Sequence, residues 1–148
     1  MRKPRTPPAD SSSADEVEAI FYEALQTGDI EKLIACWADE DDIFCVHPGG
    51  SRLLGLGAIR SAFEAMFAVG NLQVRAEKVH RVEALGASVH SVLECIEVQT
   101  DQGARHAWVV ATNVYQKTPR GWRMVAHHAS PGTPHEMLDT ADSPGLLH

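Results

Sequence analysis

Four polar side chains interrupt otherwise apolar runs between Trp108 and Ser130: Asn113, Tyr115, His127 and His128. A buried amide or imidazole without a partner costs roughly 1–3 kcal/mol. Each must therefore bond within a core or face a cavity where something binds. Asn113 is a candidate to offer its amide N–H to a ligand carbonyl or oxyanion. Tyr115, two residues on, shares its face in a strand, so the two make a polar pair. A fifth residue, His47, ends the segment IFCVH immediately before Pro48-Gly49-Gly50. An imidazole with a pKa near ~6.5 accepts protons at neutral pH, which is general-base chemistry. The bland alternative for His47 is a hydrogen bond to the loop around Pro48, and for Asn113 a bond to a neighbouring strand or helix.

His127 and His128 are adjacent, so in a regular strand they point to opposite faces and cannot ligate one metal together. His128, in phase with Trp122 and Met124, is assigned to the pocket. His80, His90 and His106 lie among charged or small residues and read as surface positions. No HExxH or CxxC occurs, so neither a metal nor a cofactor is expected. Cys45 is two residues before His47, but a thiol in apolar surroundings is inert, and GxSxG is absent. The acidic run from Asp39 to Asp42 reads as a solvated turn. Gly55-Leu-Gly57 lacks the remainder of a phosphate loop.

These side chains need a frame. Residues 1–13 are Pro- and Ser-rich and read as a disordered leader. Ser13 and Glu16 have capping-box spacing. Val17, Ile20, Phe21, Ala24 and Leu25 follow at helical period, and Gly28 ends that helix. Asp29 caps a second short helix with Ile30, Leu33, Ile34 and Trp37 on one face. A short strand ends at His47, and a third helix follows Gly57 with Ile59, Phe63, Met66 and Phe67 on one side. Long strands run from Leu72 to Leu85 and from Ala87 to Thr100, with Val79 out of phase with Val74, which suggests a bulge. The turn Asp101-Gln-Gly103 leads into the Trp108–Ser130 hairpin, reversed at Thr118-Pro119-Arg120-Gly121. The expected fold class is α+β, a strongly bent, mainly antiparallel sheet wrapped on three N-terminal helices. The expected domain is 14–130, with a loose tail over 131–148.

At 148 residues and 44% hydrophobic content, one domain with a real core is expected. The net charge of −7 sits in the body, because the leader is basic; an acidic body argues against nucleic acid. No run is long and apolar enough to span a membrane. With no apolar stretch after the basic N-terminus and three unpaired-looking cysteines (Cys36, Cys45, Cys95), a reducing, cytoplasmic setting is expected. Trp108, Val110 and Val114 make the strand face opposite Asn113 apolar as well, so a partner subunit should cover it in a homodimer.

Three stretches in this order, TGDIEKLIACWADEDD, VHPGGSRLLGLGAIRSAF and GWRMVAHHAS, resemble the SnoaL-like branch of the nuclear transport factor 2-like superfamily. That superfamily includes ketosteroid isomerase, scytalone dehydratase and the calmodulin-dependent kinase II association domain. The resemblance implies a cone-shaped fold enclosing a pocket, often in a dimer paired through the outer sheet face. It places His47 where the isomerases hold a carboxylate base, Phe21 where they hold a tyrosine, and Asn113 where they hold a protonated acid. Tyr22 falls one residue off, on a different face. Steroid isomerisation is thus not implied, but a polar pocket lined by Phe21, Trp37, Tyr115 and His128 is. The function expected is binding of a small hydrophobic carbonyl compound, with proton-transfer chemistry by His47 and Asn113. The alternative is a non-catalytic assembly module like the kinase association domain.

Overall fold

A computed structural model describes residues 13–70 and 72–133; most of the expected leader and tail fall outside them. Helix α1 spans Ala14–Thr27, and the Ser13 hydroxyl accepts the Glu16 N–H at 3.1 Å, as the capping spacing predicts. Gly28 closes α1 in the left-handed region, with φ 69°, where a side chain would be strained. Asp29 immediately caps α2, Ile30–Ala35, by accepting from the Lys32 N–H. Only Gly28 and Asp29 thus separate the two helices, and both turn apolar faces to the sheet.

The strands are β1 (Phe44–Val46), β2 (Arg52–Leu54), β3 (Gln73–Ala84), β4 (Ala87–Thr100), β5 (Gly103–Thr118) and β6 (Gly121–Pro131), with helix α3 (Gly55–Val69) following β2 directly. They form one sheet in the order β2-β1-β6-β5-β4-β3. Only β1 and β6 run parallel; the other pairs are antiparallel, so the sheet is mixed. Strand β2 escapes a sequence reading because its three residues carry too few side chains for a period to show. It matters nonetheless, since it brings the chain back beside β1 and so seats α3 behind His47.

Two bulges set which side chains face inward. Between Ala76 and Lys78 the β3–β4 register shifts, which puts Val79 back in phase with buried Val74. Between β5 and β6, Val114 pairs with Ala126 while Tyr115 pairs with Met124, leaving Val125 as the extra residue. Past that bulge the parity of β6 inverts. Met124 and His127 therefore both lie in the interior, although three residues apart.

The core lies between α1, α2, α3 and the inner sheet face, with Val17, Phe21, Leu33, Ile59, Phe63, Val92 and Met124 among its fully buried members. All three cysteines are buried free thiols. The turn from Ala38 ties back to β6 through Ala38 N–H to Met124 O at 2.9 Å and Met124 N–H to Cys36 O at 2.8 Å.

Candidate functional site

The inner face of the sheet holds a continuous polar network on an apolar bed. Asn113 is at its centre, fully buried on β5. Its amide nitrogen donates to Glu18 Oε2 and to the Tyr22 hydroxyl, both at 3.1 Å. Glu18 and Tyr22 are four residues apart on α1 and so lie on one helix face. The Tyr22 hydroxyl passes its own proton to Glu94 Oε2 on β4 at 2.6 Å, and Tyr115 donates to Glu18 Oε2 at 2.7 Å. On the other side of the amide, His127 Nδ1 lies 2.5 Å from Asn113 Oδ1. An amide oxygen only accepts, so His127 carries its proton on Nδ1 and leaves Nε2 as a lone pair.

The result is a directed chain, His127 to Asn113 to Tyr22 to Glu94, in which every bond has a defined donor. Burial moves the proton affinities along it. His127 is pushed down to about 3 by desolvation, reinforced by His47 and His128, so its ring stays neutral. Glu94 is pushed up to about 7 by burial and by nearby Glu18, against the opposing hydrogen bond from Tyr22. The Tyr22 and Tyr115 hydroxyls are raised well above their ordinary value, chiefly by burial, and remain donors. A carboxyl group near half-protonation at neutral pH can give or take a proton there.

His47 stands at the edge of this chain. Half-buried at the end of β1, it packs edge-on to Phe63 with ring centroids 4.9 Å apart, and 6.4 Å from the His127 ring. Burial lowers its pKa, which keeps the imidazole neutral and able to accept. Its Nε2 lies 3.9 Å from Cys45 Sγ. The Cys45 thiol is raised to about 12 by burial and Glu94, so it is no nucleophile.

The other residues singled out in the sequence divide by position. Phe21 is fully buried, edge-on to Tyr22 and Phe63 and 5.5 Å from His127. Tyr115 is in the network as its pairing with Asn113 suggests. Tyr22, expected on a different face from Phe21, instead reaches the network with its hydroxyl while its ring stays buried. Trp37 is buried but lines a separate groove beyond α2. His128 is exposed on the outer face, opposite Thr112; the Val125 bulge exchanges its expected place with that of His127. His90, expected at the surface, is fully buried beneath Tyr115, with ring centroids 4.9 Å apart.

Sequence reasoning missed three members: Glu18, Glu94 and His90. A signal existed for two of them. Glu94 is a lone carboxyl inside the apolar run SVLECI, and Glu18 shares its helix face with Val17, Phe21 and Tyr22. Asp15, Glu18 and His90 also bring potential metal-ligand atoms within 4.8 Å of one another. Their present partners are all protein groups: Arg81 donates to Asp15 at 2.8 Å, and His90 places its ring nitrogens 3.0 Å from Glu18 and 3.0 Å from Ser88. Cavities of about 90, 220 and 720 Å³ open elsewhere on the surface, outside the Asn113 network.

The chain resembles known proteins over most of its length. The family profile for the SnoaL-like domain matches residues 15–134. A crystal structure described as a candidate calcium/calmodulin-dependent protein kinase type II association domain from Thiobacillus denitrificans is 30% identical, with a TM-score of 0.75, covering 88% of this chain and 100% of that one. One described as a candidate dehydratase of the NTF2-like family from Streptomyces avermitilis is 30% identical, with a TM-score of 0.71, covering 80% and 93%. A protein with a cystatin-like fold from Caulobacter vibrioides is 16% identical with a TM-score of 0.71, over 84% and 91%, a likeness of fold alone. Comparison with curated proteins gives no match. The matched profile, together with the bent mixed sheet over three helices, shows that this chain belongs to the SnoaL-like family, on the cone-shaped nuclear transport factor 2-like fold.

Proposed function

We propose that the chain binds a small hydrophobic carbonyl compound and carries out proton transfer on it, in the isomerase, dehydratase or cyclase class. The observation that carries this reading is the directed hydrogen-bond chain from His127 through Asn113 and Tyr22 to Glu94, with half-buried His47 at its edge. In this reading His47 is the base that takes a proton beside the carbonyl. The Glu94 carboxyl, pushed up to about 7, supplies the proton that neutralises the developing oxyanion, with Tyr22 holding it in place. Asn113 then has a different role from the one its type suggests: both its N–H groups are committed to Glu18 and Tyr22, so it orients Tyr22 rather than meeting the ligand. Phe21, Phe63 and Phe67 would provide the apolar walls.

A second reading concerns assembly, and the 30% likeness to the association domain favours it. Trp108, Val110 and Val114 are half-buried on the outer face, next to Val89, which is exposed. His128 joins that face. We read it as a self-association surface, which is compatible with an active interior.

Three measurements follow. Exchange of the protons beside the carbonyl of a cyclic enone, followed by NMR in heavy water, should be accelerated by the protein. His47→Ala should slow it by about 10²–10⁴-fold, the range for a positioned general base; a rate within about twofold removes His47 from the chemistry.

The raised pKa of Glu94 has a defined stability consequence. The folded state holds the Glu94 proton up to about pH 7, whereas the unfolded chain releases it near ~4.3. Its favourable contribution is full below the unfolded value and lost as pH rises through the folded one. Glu94→Gln should therefore gain stability relative to wild type between about pH 4.5 and pH 7.5, by about 2–3 kcal/mol in urea titrations. A difference that stays constant with pH would refute the shift. Light scattering, finally, should give a dimer or larger assembly that Trp108→Asp dissociates; a wild-type monomer would rule out the outer-face contact.

A further inference from the structure

A concave region of the molecule lies outside the Asn113 network, between α2, the turn after it and the β5–β6 turn. It is a cavity of about 720 Å³ walled by Ile34, Trp37, Leu56, Pro119, Arg120 and Arg123. Its backbone is fixed: Trp37 forms a parallel bridge with Met124, and both Trp37 and Arg123 line the cavity.

Two donor groups in that wall are short of acceptors among the described residues. Arg123 is 8% exposed, yet among the described residues no carboxylate pairs with it, and its hydrogen bond is from Nη1 to the neighbouring Trp122 carbonyl at 2.8 Å. A guanidinium has five N–H donors in a rigid fork. Buried arginines are ordinarily matched by an acid, because desolvating an unpaired cation is costly. Here the environment opposes the charge instead of compensating it. Burial lowers the Arg123 pKa, opposed by the adjacent Cys36 and reinforced by Arg120; the Cys36 thiol is itself pushed up to about 12 by burial and is uncharged at neutral pH. The second donor is the Trp37 indole N–H, buried at 3% residue exposure with no hydrogen-bond partner among the described residues. Buried unsatisfied donors are rare enough that each calls for a reason.

We infer that this cavity is a binding site for a small amphipathic monocarboxylate, with its anionic head on the Arg123 guanidinium and its apolar body against Ile34, Leu56 and Pro119. The head is one the fork of an arginine matches with two parallel hydrogen bonds. Arg120, at the exposed rim, adds positive charge at the mouth. Asp39 and Glu40 also line the cavity and are exposed. Two carboxylates at the rim penalise a dianion such as phosphate more than a single negative charge, which selects the carboxylate. The apolar wall selects a body of several carbons. This site is independent of the chemistry proposed for the interior.

The probe is 4-phenylbutyrate, titrated calorimetrically and by tryptophan fluorescence, beside its neutral amide and inorganic phosphate. The carboxylate should bind saturably. The amide should bind at least about tenfold more weakly, as should the carboxylate to Arg123→Gln, since each removes a charge-assisted pair. Arg123→Lys keeps the charge but not the fork and should give an intermediate loss, and Trp37→Phe a loss of several-fold. Removing an unpaired buried cation should not lower the unfolding midpoint. If Arg123→Gln nonetheless fails to fold, the lysine and phenylalanine variants carry the test. His47→Ala should leave the affinity unchanged. Absence of saturable binding to wild type, undiminished binding in the folded Arg123 and Trp37 variants, or loss of binding in His47→Ala would overturn the site. Phosphate binding as tightly as 4-phenylbutyrate would overturn the carboxylate assignment.

Discussion

Two carboxyl groups, two phenols, an amide and two imidazoles share the interior of this domain, and they can do so only by satisfying one another. The Asn113 amide is the junction. It joins the two sides of the network, donating its N–H bonds to Glu18 and Tyr22 and accepting from His127 at its oxygen. The partners are 95, 91 and 14 residues away in sequence; the His127 bond lies within the β5–β6 pair, but those to Glu18 and Tyr22 cannot form until α1 is docked on the sheet. Apolar contact from Val17, Phe21 and Leu25 brings α1 down. The network then fixes how far along and at what rotation it sits, because a polar group left unpaired in that interior costs more than the bond it replaces is worth.

That constraint propagates to the site. Fixing Asn113 fixes the tautomer of His127, and holding Tyr22 against Glu94 keeps a carboxyl group in an apolar setting where its proton is retained at neutral pH. His47 comes to the same place by another route. Strand β1 pairs parallel to β6, with Cys45 opposite His127, and α3 brings Phe63 onto the imidazole. Three separate elements thus converge on one small volume. The groove around Arg123 shares only a boundary with it, through Met124, whose side chain is in the core and whose backbone clamps Trp37.

Much of the fold was legible because the segments carry their own punctuation. The Ser13 and Asp29 caps, Gly28, and the turns at Asp101-Gln-Gly103 and Thr118–Gly121 delimit five of the nine elements almost to the residue. The resemblance to the SnoaL-like family was likewise readable, since it rests on local stretches. What failed was what depends on pairing. A single unpaired residue, Val125, exchanges His127 and His128 between the faces, and nothing in WRMVAHHAS marks which residue will be extruded. His90 looked like a surface residue because its neighbours are Ser and Val, but it faces α1 rather than water. Glu18 and Glu94 looked like ordinary charges on amphipathic elements, and their burial depends on partners far away in the chain.

The directionality of the hydrogen-bond chain is the claim on which both the site and its chemistry rest, and it is accessible in one observation. The ¹⁵N chemical shifts of the His127 ring report which nitrogen bears the proton and whether the ring is charged. A neutral ring protonated on Nδ1, unchanged down to about pH 5, is the result expected from its bond to Asn113 and its burial. A ring that is protonated on Nε2, or that titrates near ~6.5 like an ordinary histidine, would contradict the account.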